Sequence, residues 1–547
     1  MSSSQEEPEP KLSSLDNAES SHNAVTPEDV DTEPETRRTS TGIKWAIVVV
    51  SLLSSTFLYA LDNTVIANVR PSIVQAFHRI DFLPWLSVAY LLGEVGANPI
   101  WGKLNKLFNN ETLYLLALLI FEIGSVVIGS AQSVEIVVAG RAIAGFGGSG
   151  IYVVTINIVS AITTPLERTH YLNLVGVAWC LGTILGPIIG GAFADSAATW
   201  RWAFYINIVI AAASVPSGIL LIPSVSPPGS FSSLKTRLKR IDYVGALLFL
   251  GGVASMIMIL AFGGALYAYN DPRMIALYVV TPVIWIAFAL QQYFSLFTLD
   301  RIFPGQFVGN WEMVVLFVWT AIAISNLVVT VYSLPLFYQF TYAQSALTSG
   351  AYTIPYIGAI IVSIGFSGPI FANYPLYKAW FAGASALMLI GNALLSTLGY
   401  HTPFGTIAGW SIISGFGVGP VVQLGYTVAQ VKVAPSSVPE VSQFLSCAQM
   451  ADLALSLGIA TTVFLNRATN GIAHILPGLP RQDIMNAIDS ANTTLFDSLD
   501  TSVGIQVREV IARNVGQVFY LNVAGAAAGF ILAICMKRER LNLTPTK

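Results

Sequence analysis

The chain has 547 residues and a formal net charge of −3, with 54% hydrophobic residues against 10% charged ones, and its mean hydropathy is +0.65. A soluble domain carries about 25% charged residues, so this balance excludes a soluble enzyme on a single anchor and indicates an all-α polytopic membrane protein. No face is basic enough to argue for nucleic acid. The three cysteines, Cys180, Cys447 and Cys535, lack metal-ligand spacing and point to neither a disulfide nor a metal site.

Residues 1–42 are rich in Ser, Glu, Pro and Thr. They cannot bury a core and are expected to form a disordered tail. They also set the first apolar segment far from the N-terminus, so it reads as a retained membrane helix rather than a signal peptide. A span needs about 20 mainly apolar residues. Candidates follow at 44–70, 82–103, 112–131, 134–159, 170–194, 202–223, 242–263, 273–292, 312–337, 348–371, 376–399, 404–431, 440–465 and 517–536, fourteen in all. The shortest separator, Gln132-Ser133, is where two spans are most easily merged.

The basic, Pro/Ser-containing stretch 223–241 divides the chain. The expected organisation is a six-helix bundle over 43–224, a linker with two extra helices over 225–300, and a second six-helix bundle over 301–537. An outer loop at 466–516 and a tail at 538–547 complete it. Two such bundles around a central cavity is a transporter arrangement built from repeats. Internal symmetry is weak, although the mid-helix Gly186-Pro187 pair recurs as Gly368-Pro369 and Gly419-Pro420.

Lys and Arg bias orients the spans. With the N-terminus in the cytoplasm, inside segments hold sixteen Lys and Arg, among them Lys103, Lys106, Arg168, Arg240, Arg301, Lys378, Lys432 and Lys537. Short outside loops hold only Arg70, Arg79, Arg201 and Arg273. Both termini are therefore expected in the cytoplasm. Asn492-Thr493-Thr494 is the one sequon on the outer side and makes Asn492 the glycosylation candidate.

A charge at the bilayer centre costs about 2.5–3.5 kcal/mol on insertion scales, so one that persists is a functional candidate. Asp62, Glu94, Glu122, Arg141 and Asp452 stand out. At about 1.5 Å per residue, Asp62, Glu94 and Arg141 fall at overlapping depths in the outer half of the first bundle. Asp62, with Glu94 second, is the expected proton carrier, with Arg141 responding to its charge. Desolvation raises a carboxylate's proton affinity, a guanidinium lowers it, and a moving partner switches it. A fixed buried ion pair is the alternative. Glu122 can instead face a neighbouring helix in its protonated form. Asp452, near Gln449 and Ser456, is a further coupling candidate in the second bundle. Trp179, Tyr152, Trp319, Tyr338, Gln339, Tyr356, Trp410 and Gln423 are the candidates to line the cavity. Such a lining suits a small amphipathic organic molecule, and ordinary packing is the alternative for each.

Several segments carry a resemblance. LDNTVIANVRPSI at 61–73 and GRAIAGFGGSG at 140–150 resemble the first- and fourth-helix motifs of the fourteen-helix drug:proton antiporter branch of the major facilitator superfamily. GTILGPIIGG at 182–191 resembles its fifth-helix antiporter motif, with Gly182, Gly186, Pro187, Gly190 and Gly191. TWRWAFYIN at 199–207 and YSLPLFYQ at 332–339 are similar to its sixth and ninth helices. LPWLSVAYLLGEVGANPIWGKL resembles fungal members associated with toxin and secondary-metabolite efflux. The resemblance covers about 44–537. It implies the major facilitator fold, two six-helix bundles plus two extra helices, and proton-driven export by alternating access without a cofactor. A monomer in the plasma membrane is the expectation, with the vacuolar membrane left open. One departure concerns the loop opened by Gly102. The family's Gly-x-x-x-Asp-x-x-Gly-Arg is replaced by Gly102 and KLNKLFNNE, so Lys103, Lys106 or Glu111 must supply any charge latch.

Alternatives are a fourteen-helix siderophore-iron importer and a receptor that has lost transport. An importer would favour a cationic or His-rich outer cavity, and His78, His401 and His474 are merely on the outer side. A membrane enzyme lacks support, because no paired-histidine cluster, nucleophile motif or phosphate loop is present, and the missing phosphate loop also argues against ATP as direct energy source.

Overall fold

The computed structural model describes residues 42–79, 82–194, 196–224, 233–264, 267–489, 499 and 501–543. Asn492 and the tail at 1–41 lie outside them. Six long helices open the fold: α1 (Ile43–Phe77), α2 (Leu83–Leu107), α3 (Asn110–Gly129), α4 (Val134–Ile162), α5 (Pro165–Ala194) and α6 (Trp202–Leu221). A short basic helix, α7 (Leu234–Lys239), precedes a hairpin of α8 (Tyr243–Phe262) and α9 (Pro272–Phe294). The second bundle contains α10 (Trp311–Tyr342), α11 (Ala346–Ala351), α12 (Ile354–Asn373), α13 (Tyr377–Leu395), α14 (Phe404–Val418), α15 (Leu424–Val431), α16 (Val438–Ile475), α17 (Arg481–Asp489) and a C-terminal helix, Thr501–Cys535. No strand occurs among the described residues.

Among the described residues, thirteen helical segments are long and apolar enough to cross a membrane, with Phe404–Val431 counted as one. The expected fourteenth, α2, has 25 residues, but Glu94, Asn98, Lys103 and Asn105 lower its hydropathy. All four are buried in protein, where neighbouring helices replace the solvent that polar groups lack in lipid. The Gln132-Ser133 separator holds, since α3 ends at Gly129 and α4 begins at Val134.

The expected span at 404–431 is present as Phe404–Val431, with a 3-10 turn over Gly419–Val421 between α14 and α15, where Pro420 has no N–H to give to the helical ladder. One boundary is corrected. The described residues of the outer loop at 466–516 are largely helical, because α16 runs on to Ile475 and the C-terminal helix starts at Thr501. Ile472, Ile484, Met485, Ile488, Val507 and Ile511 pack together there as an apolar cap.

Helix contacts are set by glycines. α5 lies along α1, where a Cβ on Gly182 would fall 2.4 Å from the Phe57 carbonyl, one on Gly186 2.0 Å from Thr64 Oγ1, and one on Gly190 2.7 Å from the Val65 carbonyl. These glycines permit close backbone approach. They face the neighbouring helix rather than a pore, and α5 is continuous through Pro187. Gly191 is looser, 3.4 Å from Asn68, whose amide donates to the Pro187 carbonyl at 2.8 Å.

Candidate functional site

The C-terminal end packs on one face of the molecule, termed here the terminal face: the Leu541 N–H bonds the Pro375 carbonyl, and Lys432 pairs with Glu312 and Glu539. The start of α1 lies on the same side, since Trp45 donates to Tyr171 of α5 and the nearby Asn173 donates to Ser367 near the end of α12. Toward the opposite face of the first bundle, Asp62 and Arg141 meet. Arg141 Nη1 donates to Asp62 Oδ2 at 2.7 Å and to the Asp62 carbonyl at 3.0 Å, and Nε donates to the Leu86 carbonyl at 3.1 Å. Both residues are buried. The guanidinium lies over the Tyr90 ring at 4.0 Å. Asn207 of α6 donates to Asp62 Oδ1 at 3.2 Å and to Ser125 Oγ of α3 at 3.1 Å. The pair is thus sealed by α1, α2, α3, α4 and α6, with every element contributing at least one polar group.

Glu94 lies next to it, not in it. It accepts from the Tyr59 hydroxyl and, at 3.5 Å, from Asn63 Nδ2. Gly145 brings α4 onto α2 at this level, since a Cβ there would lie 2.2 Å from the Tyr90 carbonyl. Tyr332 of α10 is within electrostatic reach of Arg141 and Glu94 from the other bundle. Its place was not legible, because it depends on the docking of the two bundles. Glu122 of α3 has no hydrogen-bond partner for either carboxyl oxygen, and Asp452 has none for Oδ2.

The bundles meet along a seam. Tyr152 of α4 donates to Gln449 at 2.8 Å, Tyr426 donates to the same oxygen at 2.7 Å, and Gln423 donates to Tyr152 at 3.1 Å. Trp179 is buried on α5. Further rungs are Asn98 to Ser446 at 2.5 Å, Ser160 to Gln430 at 3.0 Å and Asn173 to Ser367 at 3.2 Å. Each of these lies between mid-helix and the terminal face.

Of the expected cavity residues, Tyr152 and Gln423 sit in this seam. Three others lie elsewhere in this arrangement. Trp319 is inside the second bundle, donating to the Gly529 carbonyl at 3.2 Å and stacking on Phe381. Tyr356 donates within that bundle to the Asn326 carbonyl at 2.9 Å. Tyr338 belongs to the apolar cluster near the opposite face, against Phe337, Tyr342 and Tyr352. Trp410 packs against that cluster too, and Gln339 is partly buried near the end of α10. Helix rotation decides these positions, and aromatic residues satisfy a core as readily as a cavity wall.

On the terminal face, the altered loop has a partner. Lys106 pairs with Glu440 in the first turn of α16, and Glu440 also accepts from Gln306. Lys103 pairs with Asp300 at 3.4 Å. Gln443 donates to the carbonyls of Pro99 at 3.1 Å and Ile302 at 2.8 Å. Its side chain crosses Gly102 so closely that a Cβ there would lie 2.2 Å from Gln443 Cδ. The segment between α9 and α10 thereby ties α2 to α16. Its inner end is anchored by the buried Asp242, which accepts from Gly245 N, Gln291, Gln292 and Ile302 N. Glu111 takes no part in these bonds.

Residues 52–451 match the model of the Major Facilitator Superfamily. An MFS-type transporter, pgmG of Aspergillus terreus, is 38% identical over 93% of this chain and 91% of its own length. The efflux pump patC of Aspergillus clavatus is 36% identical over 93% of each chain. The solved structure of the human organic anion transporter MFSD10 shares the fold, with a TM-score of 0.58 at 14% identity over 90% of this chain and 100% of its own. The sealed charge cluster, the two docked bundles and these similarities lead to one assignment: this chain belongs to the Major Facilitator Superfamily and is a multi-pass membrane transporter, not an enzyme.

Proposed function

We propose that the chain is a proton-coupled exporter of a small amphipathic organic molecule, a toxin or other secondary metabolite, working by alternating access. The observation that carries this reading is the Asp62–Arg141 pair at 2.7 Å, closed off from solvent inside the first bundle. An unpaired buried charge is strongly unfavourable. A proton arriving at Asp62 cancels the attraction and leaves Arg141 uncompensated, so protonation and helix rearrangement are linked. Glu94, hydrogen-bonded to Tyr59, is placed to pass or hold the proton. Tyr59 also contacts Met450 across the seam, which gives the first bundle's chemistry a route to the second.

Substrate would bind where amides and phenols line the seam at Tyr152, Gln423, Tyr426 and Gln449. With both termini in the cytoplasm, the rungs from Asn98–Ser446 to Lys106–Glu440 close the cytoplasmic side. The arrangement is then one closed toward the cytoplasm. Similarity to proteins named efflux pumps supports the direction. The resemblance favours the plasma membrane, a monomer and no cofactor beyond the proton gradient.

The test is transport in reconstituted vesicles under an imposed pH difference. Wild-type protein should accumulate a fluorescent amphipathic dye only with the gradient. Asp62→Asn should lose gradient-driven accumulation while remaining folded and membrane-inserted. Equal accumulation without a gradient would remove the proposal.

A further inference from the structure

The two bundles carry the same buried cluster, charged in one and neutral in the other. On the first side, a Cβ on Gly124 of α3 would lie 2.5 Å from the Ala144 N of α4. On the second, one on Gly391 of α13 would lie 2.5 Å from the Ser414 N of α14. Gly145 closes on the Tyr90 carbonyl of α2, and Gly415 on the Tyr356 carbonyl of α12. Gly147 meets Phe121 and Ala117, and Gly417 meets Met388 and Ala384. The residue after each α3-type glycine is polar, Ser125 or Asn392. Each accepts from an asparagine on its bundle's last helix, Asn207 at 3.1 Å or Asn522 at 3.2 Å. Those asparagines end the matching runs Phe204-Tyr205-Ile206-Asn207 and Phe519-Tyr520-Leu521-Asn522.

The first helices complete the pairing. Asp62 and Asn326 each lie nine residues before a proline, Pro71 or Pro335. Asn392 donates to Asn326 Oδ1 at 2.7 Å and to Ser414 at 3.1 Å. Asn326, Asn392 and Asn522 are all fully buried. Where Arg141 stands on α4, the same register on α14 places Ser411, which bonds only its own helix at the Ala408 carbonyl.

We propose that Asn326, Asn392 and Asn522 are the uncharged duplicate of the Asp62 cluster. They are positioning residues that hold α10, α13, α14 and the C-terminal helix in one arrangement whatever the pH, so the second bundle moves as a unit while the first responds to protons. This rests on the proton reading of Asp62. Ionisable groups facing the duplicate are few. Tyr356 of α12 donates to the Asn326 carbonyl, and Asp452 of α16 lies beside Ser325. The hydrogen bonds from α13, α14 and the C-terminal helix are amide and hydroxyl only.

The experiment is hydrogen exchange on the full chain in lipid nanodiscs at about pH 5.5 and about pH 8. It is run in an Asp452→Asn background, which removes the neighbouring carboxylate and needs no transport activity. Peptides from α1 and α4 should change their exchange rate by at least about tenfold, corresponding to one decade in a local equilibrium. Peptides from α10 and α13 should change by less than about twofold once the intrinsic pH effect is removed. Adding Asn326→Asp should make α10 and α13 pH-sensitive, and Asn326→Ser should not. Asn522→Asp repeats the gain at a second position if the first variant does not fold. A response of α10 and α13 equal to that of α1 and α4 without these carboxylates overturns the duplicate and leaves the proton reading standing. A response in neither bundle overturns the proton reading, and the duplicate's role with it.

Discussion

Arg141 holds Asp62 twice, by the carboxylate at 2.7 Å and by the main-chain carbonyl at 3.0 Å. Neutralising the carboxylate therefore weakens one bond by removing its charge and leaves the other as it was. Separation of α1 from α4 needs both to go, which makes the pair a latch with a chemical and a mechanical part. Removing one partner of a buried pair costs about 3–5 kcal/mol, because the other charge is left unpaired. Arg141→Met and Asp62→Asn should therefore each destabilise the protein, and the double variant should recover much of the loss. Thermal unfolding of the three proteins in one detergent checks this, and additive losses would mean the two side chains act independently.

The terminal-face latch is charge-reversible in principle. Lys106 is 45% exposed and Glu440 19%, so the pair alone contributes about 0.2–1 kcal/mol. Lys106→Glu should nevertheless loosen the closed seam, since it places a like charge against Glu440. Cysteine cross-linking between α2 and α16 should fall in Lys106→Glu and in Glu440→Lys. It should return in the combined swap. No recovery in the swap would assign closure to packing and Gln443 instead.

The α1–α5 contact depends on glycine. In Gly182→Ala the new methyl meets the Phe57 carbonyl and the Leu61 N–H, both backbone, and overpacking of this kind costs about 1–3 kcal/mol. Gly383→Ala on α13 meets nothing within 4 Å and should be neutral or stabilising by about 0.4–1 kcal/mol. Melting temperatures in opposite directions are the expected outcome.

Much of this was legible in residues and some was not. Asp62, Arg141 and the α5 glycines are conspicuous because a charge in lipid or a mid-helix Gly-Pro is costly unless something answers it. What answers it was less legible. The glycines of α5 serve close packing on α1, and Lys106 finds Glu440 far away in sequence. Trp319, Tyr356 and Tyr338 were expected at the cavity because composition cannot show which way a helix is rotated. The cap at 466–516 was read as a loop because α17 and the outer ends of α16 and the C-terminal helix are too polar to resemble spans, and only the packing of Ile472, Ile484 and Ile488 with Val507 and Ile511 reveals it.

At the terminal face, the Lys432 ammonium bonded to Glu539 holds that carboxyl below its usual range. A depressed folded-state pKa contributes stability above the unfolded value, and that contribution is lost as pH falls through the folded one. The side chain is 43% exposed, so the effect is small and screened by salt. Glu539→Gln should lower the melting temperature slightly near neutral pH, and the difference from wild type should vanish in acid below the ordinary Glu range. A difference that persists there would indicate a role other than charge.

Proton movement with and without Asp62 tests the central claim most directly. Purified protein in sealed vesicles, loaded with a pH-sensitive dye, is given an amphipathic substrate gradient and no other energy source. The account predicts a proton flux opposite in direction to the substrate flux for wild type, and substrate-independent background for Asp62→Asn. Substrate crossing with no accompanying proton flux, or an unchanged flux in Asp62→Asn, would contradict it.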